Sequence, residues 1–225
     1  MDRNISSPTQ HHTYFILTLE FKDTYKTILK NSKAALLKEK GSKFYAYAFS
    51  VIHEDDIKNC LDLLKKEHNS ARHWCYAWQL GVNYDSYRAN DDGEPTNSAG
   101  MPIYGQLQAF NVTNVLVVVV RYFGGTKLGI GGLIQAYKAA AKLSLEESEI
   151  VQRTINEEFV LKFDYPEMNK VMRIVKEEHI LINHQKLEEN CEFTISIRKK
   201  EADKIFTLFN NMYRVSIKKK KNNSS

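Results

Sequence analysis

Cysteine is scarce: the chain of 225 residues has three, Cys60, Cys75 and Cys191. None stands at a metal-ligand spacing, and an odd number forms no closed disulfide framework. Reduced thiols in a cytoplasmic protein are the expectation. Long apolar runs are missing too. The longest, Val115–Val120, is strand-length, far short of the roughly 20 residues of a membrane helix. The first 21 residues lack the basic start and small-residue cleavage site of a signal peptide. Three motifs are absent: the Walker GxxxxGK[ST], the dinucleotide GxGxxG (Ile134 stands where its last glycine would be) and the GxSxG nucleophile turn. No established nucleotide loop and no serine nucleophile are therefore written here.

Charge is present but unevenly placed. The net charge is +5. Residues 22–150 carry 16 Lys+Arg against 14 Asp+Glu, and residues 151–225 carry 15 against 11. Lys218–Lys221 account for the whole excess of the second half. The basic balance is largely a tail, and basic tails are commonly just solvated. Any case for nucleic acid must rest on a local patch.

The apolar pattern sets out the elements. Ala34–Val51 reads as two strands turning near Gly41 and Ser42. His53–His68 reads as a helix, with Ile57, Cys60, Leu61 and Leu64 in one stripe. Arg72–Gly81 is a strand; Asn83–Pro102, rich in Asn, Ser, Gly and Pro, reads as a loop, with a short helix through Ile103–Phe110. Val115–Val120 has no polar interruption, so it is a strand covered on both faces. Leu133–Glu147 is a helix. The second half reads strand (Glu158–Tyr165), helix (Pro166–His179), two paired strands, helix (Glu201–Met212), strand. That order is the split βαβ, ferredoxin-like arrangement. The boundary between halves falls near Glu149–Glu157.

Three stretches carry possible chemistry. Arg121–Gly132 holds half of the ten glycines in twelve residues, after a buried strand and before a helix. Backbone N–H groups at such a helix start attract anions, and Arg121 and Lys127 stand nearby. The same loop also suits a plain tight connection. Ala89–Pro95 places Asp91, Asp92 and Glu94 within four residues. Such carboxylates can hold a cation or move protons, can simply face water in a turn, or can pair with Arg121 or Lys127. On the strand from Arg72, His73 and Cys75 share one face, and Arg72, Trp74, Tyr76 and Trp78 the other.

Three segments together, His73–Gly81, Ala89–Ile103 and Asn114–Tyr137, resemble the signature of the YigZ/IMPACT family. Matching positions are His73, Tyr76, Asp91, Asp92, Gly93, Glu94, Pro95, Ala99, Gly100, Arg121, Tyr122, Phe123, Gly124, Gly125, Leu128, Gly129, Gly131 and Gly132. Met101 departs from an Arg, Tyr104 from an aliphatic residue and Arg72 from a Thr. The resemblance implies an α+β protein. After a leader (1–21), residues 22–150 would form an N-terminal domain with the left-handed βαβ fold of a ribosomal-protein domain. Residues 157–217 would form a ferredoxin-like βαββαβ domain resembling the C-terminal domain of elongation factor G, followed by a basic tail (218–225). Eukaryotic relatives regulate a translation-controlling kinase pathway with an extra N-terminal domain. A 21-residue leader is too short for one, so that role is not expected here.

The function this implies is a non-catalytic regulator or accessory factor of translation, cytoplasmic, that binds RNA or the ribosome. Arg72, His73, Arg121, Tyr122, Gly124, Gly125, Lys127, Gly129, Gly131 and Gly132 would make the anion-binding surface, with Asp91, Asp92 and Glu94 lining the same cleft. A protein partner in the translation machinery is also expected. No catalytic residue, cofactor or metal is assigned, and no membrane. The alternatives are an enzyme acting on a small phosphorylated ligand with carboxylate-bound metal, and a protein-interaction domain.

Overall fold

The computed structural model describes residues 23–220. The expected leader and Lys221–Ser225 lie outside the described residues.

A five-stranded antiparallel sheet dominates the first half, in the order β2-β3-β6-β4-β5. Its strands are β2 (Ala35–Glu39), β3 (Ser42–Ser50), β4 (His73–Leu80), β5 (Ser86–Asn90) and β6 (Val115–Tyr122). Lys40 (φ 44°) and Gly41 (φ 79°) make the two-residue turn between β2 and β3, since positive φ at both centres matches the twist of a hairpin. β6, apolar from Val115 to Val120, sits in the middle, where each face meets helix. Val115, Val117 and Val119 join the core under α2 (Gly100–Ala109) and α3 (Gly129–Glu146). Leu116, Val118 and Val120 join a second core under α1 (Glu54–Glu67). β3 and β4 both run antiparallel to β6, so they are parallel to each other, and α1 is the crossover between them. β1 (Thr24–Ile28) and β7 (Ile150–Thr154) form a separate antiparallel ribbon, Thr24 opposite Thr154 and Ile28 opposite Ile150.

The second half has its own four-stranded antiparallel sheet. Its strands are β8 (Asn156–Asp164), β9 (Leu181–Lys186), β10 (Asn190–Arg198) and β11 (Val215–Lys219), ordered β11-β8-β10-β9. With α4 (Met168–Glu177) and α5 (Ala202–Asn210) between strands, this is the βαββαβ order expected of a ferredoxin-like unit. Phe159, Leu161, Phe193 and Ile195 pack with Val171, Val175, Ile205 and Phe209 in a core that shares no residue with the first two.

Three differences from the sequence pattern matter. Asn83–Pro102 is not all loop: β5 forms inside it and α2 begins at Gly100, before Ile103. β5 is polar and half-exposed, so it has no apolar alternation to show; it is held by pairing with β4 from Tyr76–Asn90 to Leu80–Ser86. β1 and β7 likewise depend on each other rather than on local pattern. Finally, Lys218 and Lys219 belong to β11, and Lys219 and Lys220 pair with Glu157 (2.8 Å) and Glu158 (2.7 Å). Among the described residues, no helix is long and apolar enough to cross a membrane.

Candidate functional site

Strand alternation sends Arg121 and Tyr122 to opposite faces of the sheet. Arg121 goes inward, under the Ala89–Pro95 loop, with only 6% of its surface exposed. Its cross-strand neighbours are Phe44 on β3 and His73 on β4. Its Nη1 donates to Glu94 Oε1 at 2.6 Å, and both side chains are nearly inaccessible. Its guanidinium lies 5.5 Å from the Phe44 ring and 5.6 Å from that of Phe123. Tyr137 of α3 donates its hydroxyl to the same Glu94 oxygen at 2.8 Å. The Cys75 thiol reaches Tyr137 Oη at 3.3 Å and the Asp91 carbonyl at 2.9 Å. Burial pushes the Cys75 thiol and the Tyr137 phenol far up from their ordinary pKa values. Both therefore stay protonated near neutrality, and Cys75 is no thiolate nucleophile. The tyrosine role was within reach of the sequence, as a hydroxyl on the apolar stripe of α3.

The other two carboxylates are spent on backbone. Asp91 Oδ1 accepts from the amides of Ala99 (2.9 Å) and Gly100 (2.8 Å), and Oδ2 from Asn97 (2.8 Å). It thus caps α2 from a distance, satisfying amides no helical carbonyl can reach. Asp92 Oδ2 accepts from the Trp74 amide at 2.7 Å, while its carbonyl lies 2.8 Å from His73 Nδ1. Asp92 and Gly93 turn with φ of 42° and 83°. Of the pairings open from sequence, the structure takes Glu94 with Arg121. Among the described residues no group of His, Cys, Asp or Glu stands ready to hold a metal ion.

The glycines divide by purpose. Gly124 packs backbone to backbone on the β2–β3 turn: a Cβ there would sit 1.9 Å from the Gly41 carbonyl carbon. Its amide donates to Ser42 Oγ at 3.2 Å. Gly125 and Gly129 take φ of 88° and 70°, which only glycine adopts freely. A Cβ on Gly131 would meet nothing within 4 Å, and one on Gly132 only the Leu128 side chain. Around them Phe123, Thr126, Lys127 and Ile130 are exposed. The expected cation pair is therefore split. Lys127 points to solvent, and so does Arg72 at the foot of β4, whereas Arg121 is internal. Trp74, Tyr76 and Trp78 pack under α1 in the second core.

Residues 40–145 match the family model described as the Impact N-terminal domain. The IMPACT family member YvyE of Bacillus subtilis is 32% identical over 180 residues, which span 80% of this chain and 82% of that protein. An IMPACT family member of Haemophilus influenzae is 36% identical over 169 residues, 73% of this chain and 81% of that protein. A crystal structure described as that of a hypothetical protein superposes with a TM-score of 0.68 at 22% identity, covering 89% of this chain and 98% of its own. Fold and signature together define a mixed α/β protein built on an Impact N-terminal domain. The chain belongs to the IMPACT family.

Proposed function

We propose that the protein is a non-catalytic accessory factor of translation that holds RNA, free or ribosomal, on its glycine-rich loop. The observation that carries this reading is a division of labour. The carboxylates of the Ala89–Pro95 loop face inward and are spent on Arg121 and on backbone amides. The glycines, Thr126 and Lys127 face outward at the start of α3. A loop with open backbone, a nearby cation and a helix start suits a phosphate backbone. The family resemblance to translation-factor domains supports the same direction. The enzyme reading has less behind it, because its metal-binding carboxylates are already occupied.

The test is binding of a fluorescent single-stranded RNA across a salt series. Each lost phosphate contact lowers the log–log salt slope by about 0.7 for single strands. Lys127→Ala/Arg72→Ala is expected to weaken binding and flatten that slope. Binding that ignores this variant, or that vanishes only when Lys218–Lys221 are neutralised, overturns the proposal.

A further inference from the structure

The face of the first sheet opposite Arg121 holds a cavity of about 590 Å³. Alternation along β3 brings Lys43, Tyr45 and Tyr47 to it; β6 adds Tyr122, with Phe123 following, and the end of α1 adds Glu67 and His68. The imidazole of His68 sits between two phenols. Tyr47 Oη lies 2.6 Å from Nε2 and Tyr122 Oη 3.0 Å from Nδ1. A neutral imidazole has one donor and one acceptor. Which phenol donates and which accepts follows the tautomer of the imidazole. The Tyr45 ring is 5.4 Å from His68 and 5.8 Å from Tyr122.

These groups are more than the top of a core. Tyr45 and Tyr122 are half-buried, and Phe123 is 49% exposed. The Tyr45 hydroxyl has no partner among the described residues. Lys43, directly across the ladder from Tyr122, is exposed and has no ion pair among the described residues. Glu67 stands at the rim, 56% of its side chain in solvent. Aromatic rings on a sheet face, a free hydroxyl donor, one carboxylate acceptor and an unspent ammonium make up a specific set. Rings stack bases, a carboxylate accepts from an exocyclic amino group, and an ammonium holds phosphate. The volume lies within the range of small-ligand sites. The cavity also adjoins the glycine-rich loop, because its Gly41 wall packs on Gly124.

We propose that this cavity is a nucleotide site: a base with an exocyclic amino group stacks on the Tyr45 ring and meets Tyr122, which stands at 80° to Tyr45, edge-on; its amino group donates to Glu67, and its phosphate pairs with Lys43. As a unit of a strand continuing to the loop, the nucleotide rests on the RNA reading above; the same chemistry accepts a free nucleotide.

The experiment uses the full chain, with three probes: fluorescent oligoadenylate, the same strand carrying abasic sites, and AMP. Tyr45→Ala is expected to weaken oligoadenylate about five- to hundred-fold, and Tyr45→Trp to restore it, which separates stacking from misfolding. The abasic strand should bind the native chain about as weakly as oligoadenylate binds Tyr45→Ala. Competition by AMP would extend the site to free nucleotides; base-dependent strand binding without it would confine the site to strands. If Tyr45→Ala and the abasic strand change nothing while Lys127→Ala/Arg72→Ala still weakens RNA, the cavity inference falls and the loop reading stands. If AMP binds in a Tyr45-dependent way and no RNA binds, the cavity stands and the loop reading falls. Binding of none of the probes overturns both.

Discussion

At the scale of single residues, the clearest commitment is the buried pair of Arg121 and Glu94. Removing one partner of such a pair leaves an uncompensated buried charge, at a cost of about 3–5 kcal/mol. Glu94→Ala is expected to lose that much stability in urea denaturation, and Arg121→Met/Glu94→Ala to recover part of it. A loss under about 1 kcal/mol would mean that the pair is solvated. Tyr47 makes a second prediction. Burial, with help from the Glu67 carboxylate, pushes its phenol up to about 12 from 10.0. The folded state favours the neutral phenol, so this contribution is full below the unfolded value and is lost as pH rises from 10.0 to about 12. Tyr47→Phe should show a flatter stability profile across that window. Sequence reasoning could name Glu94 and Arg121 as possible partners, since opposite charges beside a buried strand end must be paired. It could not reach the phenols around His68, whose meeting depends on the register of β3 against β6 and on where α1 ends.

At the scale of elements, the glycine-rich loop makes a prediction with opposite signs. Gly124→Ala forces a methyl into the Gly41 backbone, an overpacking cost of about 1–3 kcal/mol. Gly131→Ala adds a methyl to open space in a helix and should stabilise by about 0.5–1 kcal/mol. Thermal melts of the two variants should move in opposite directions; movement in the same direction would show that the loop is not built as described. Elements were legible where apolar pattern and burial coincide. The stripe of α1, the unbroken β6 and the alternation of the second sheet all show in the sequence. β5 and the β1–β7 ribbon do not, because polar, edge-like strands are specified by a distant partner. The late start assigned to α2 has a similar cause: its cap, Asp91, lies eight residues before Ala99 and reaches it only through the turn at Asp92 and Gly93.

At the scale of the molecule, the described chain has cores that share no residues between its two halves. We propose that they are separate domains, residues 22–150 and 157–217. Leu161 is fully buried in the second, so Leu161→Ala should cost about 2–5 kcal/mol there. Calorimetry should then show two transitions, of which Leu161→Ala lowers one; a single transition that shifts as a whole would overturn the division. The antiparallel ribbon of β1 and β7 bears on how such a unit can be used. Thr24 and Thr154 stand opposite each other, so about 130 residues of chain leave and return at one place. Segments whose ends lie close together are the ones that tolerate insertion and circular permutation. On that division, the stretch from Thr24 to Thr154 would be a cassette, which could be spliced into a surface loop of another protein with its tyrosine-lined cavity and glycine loop intact.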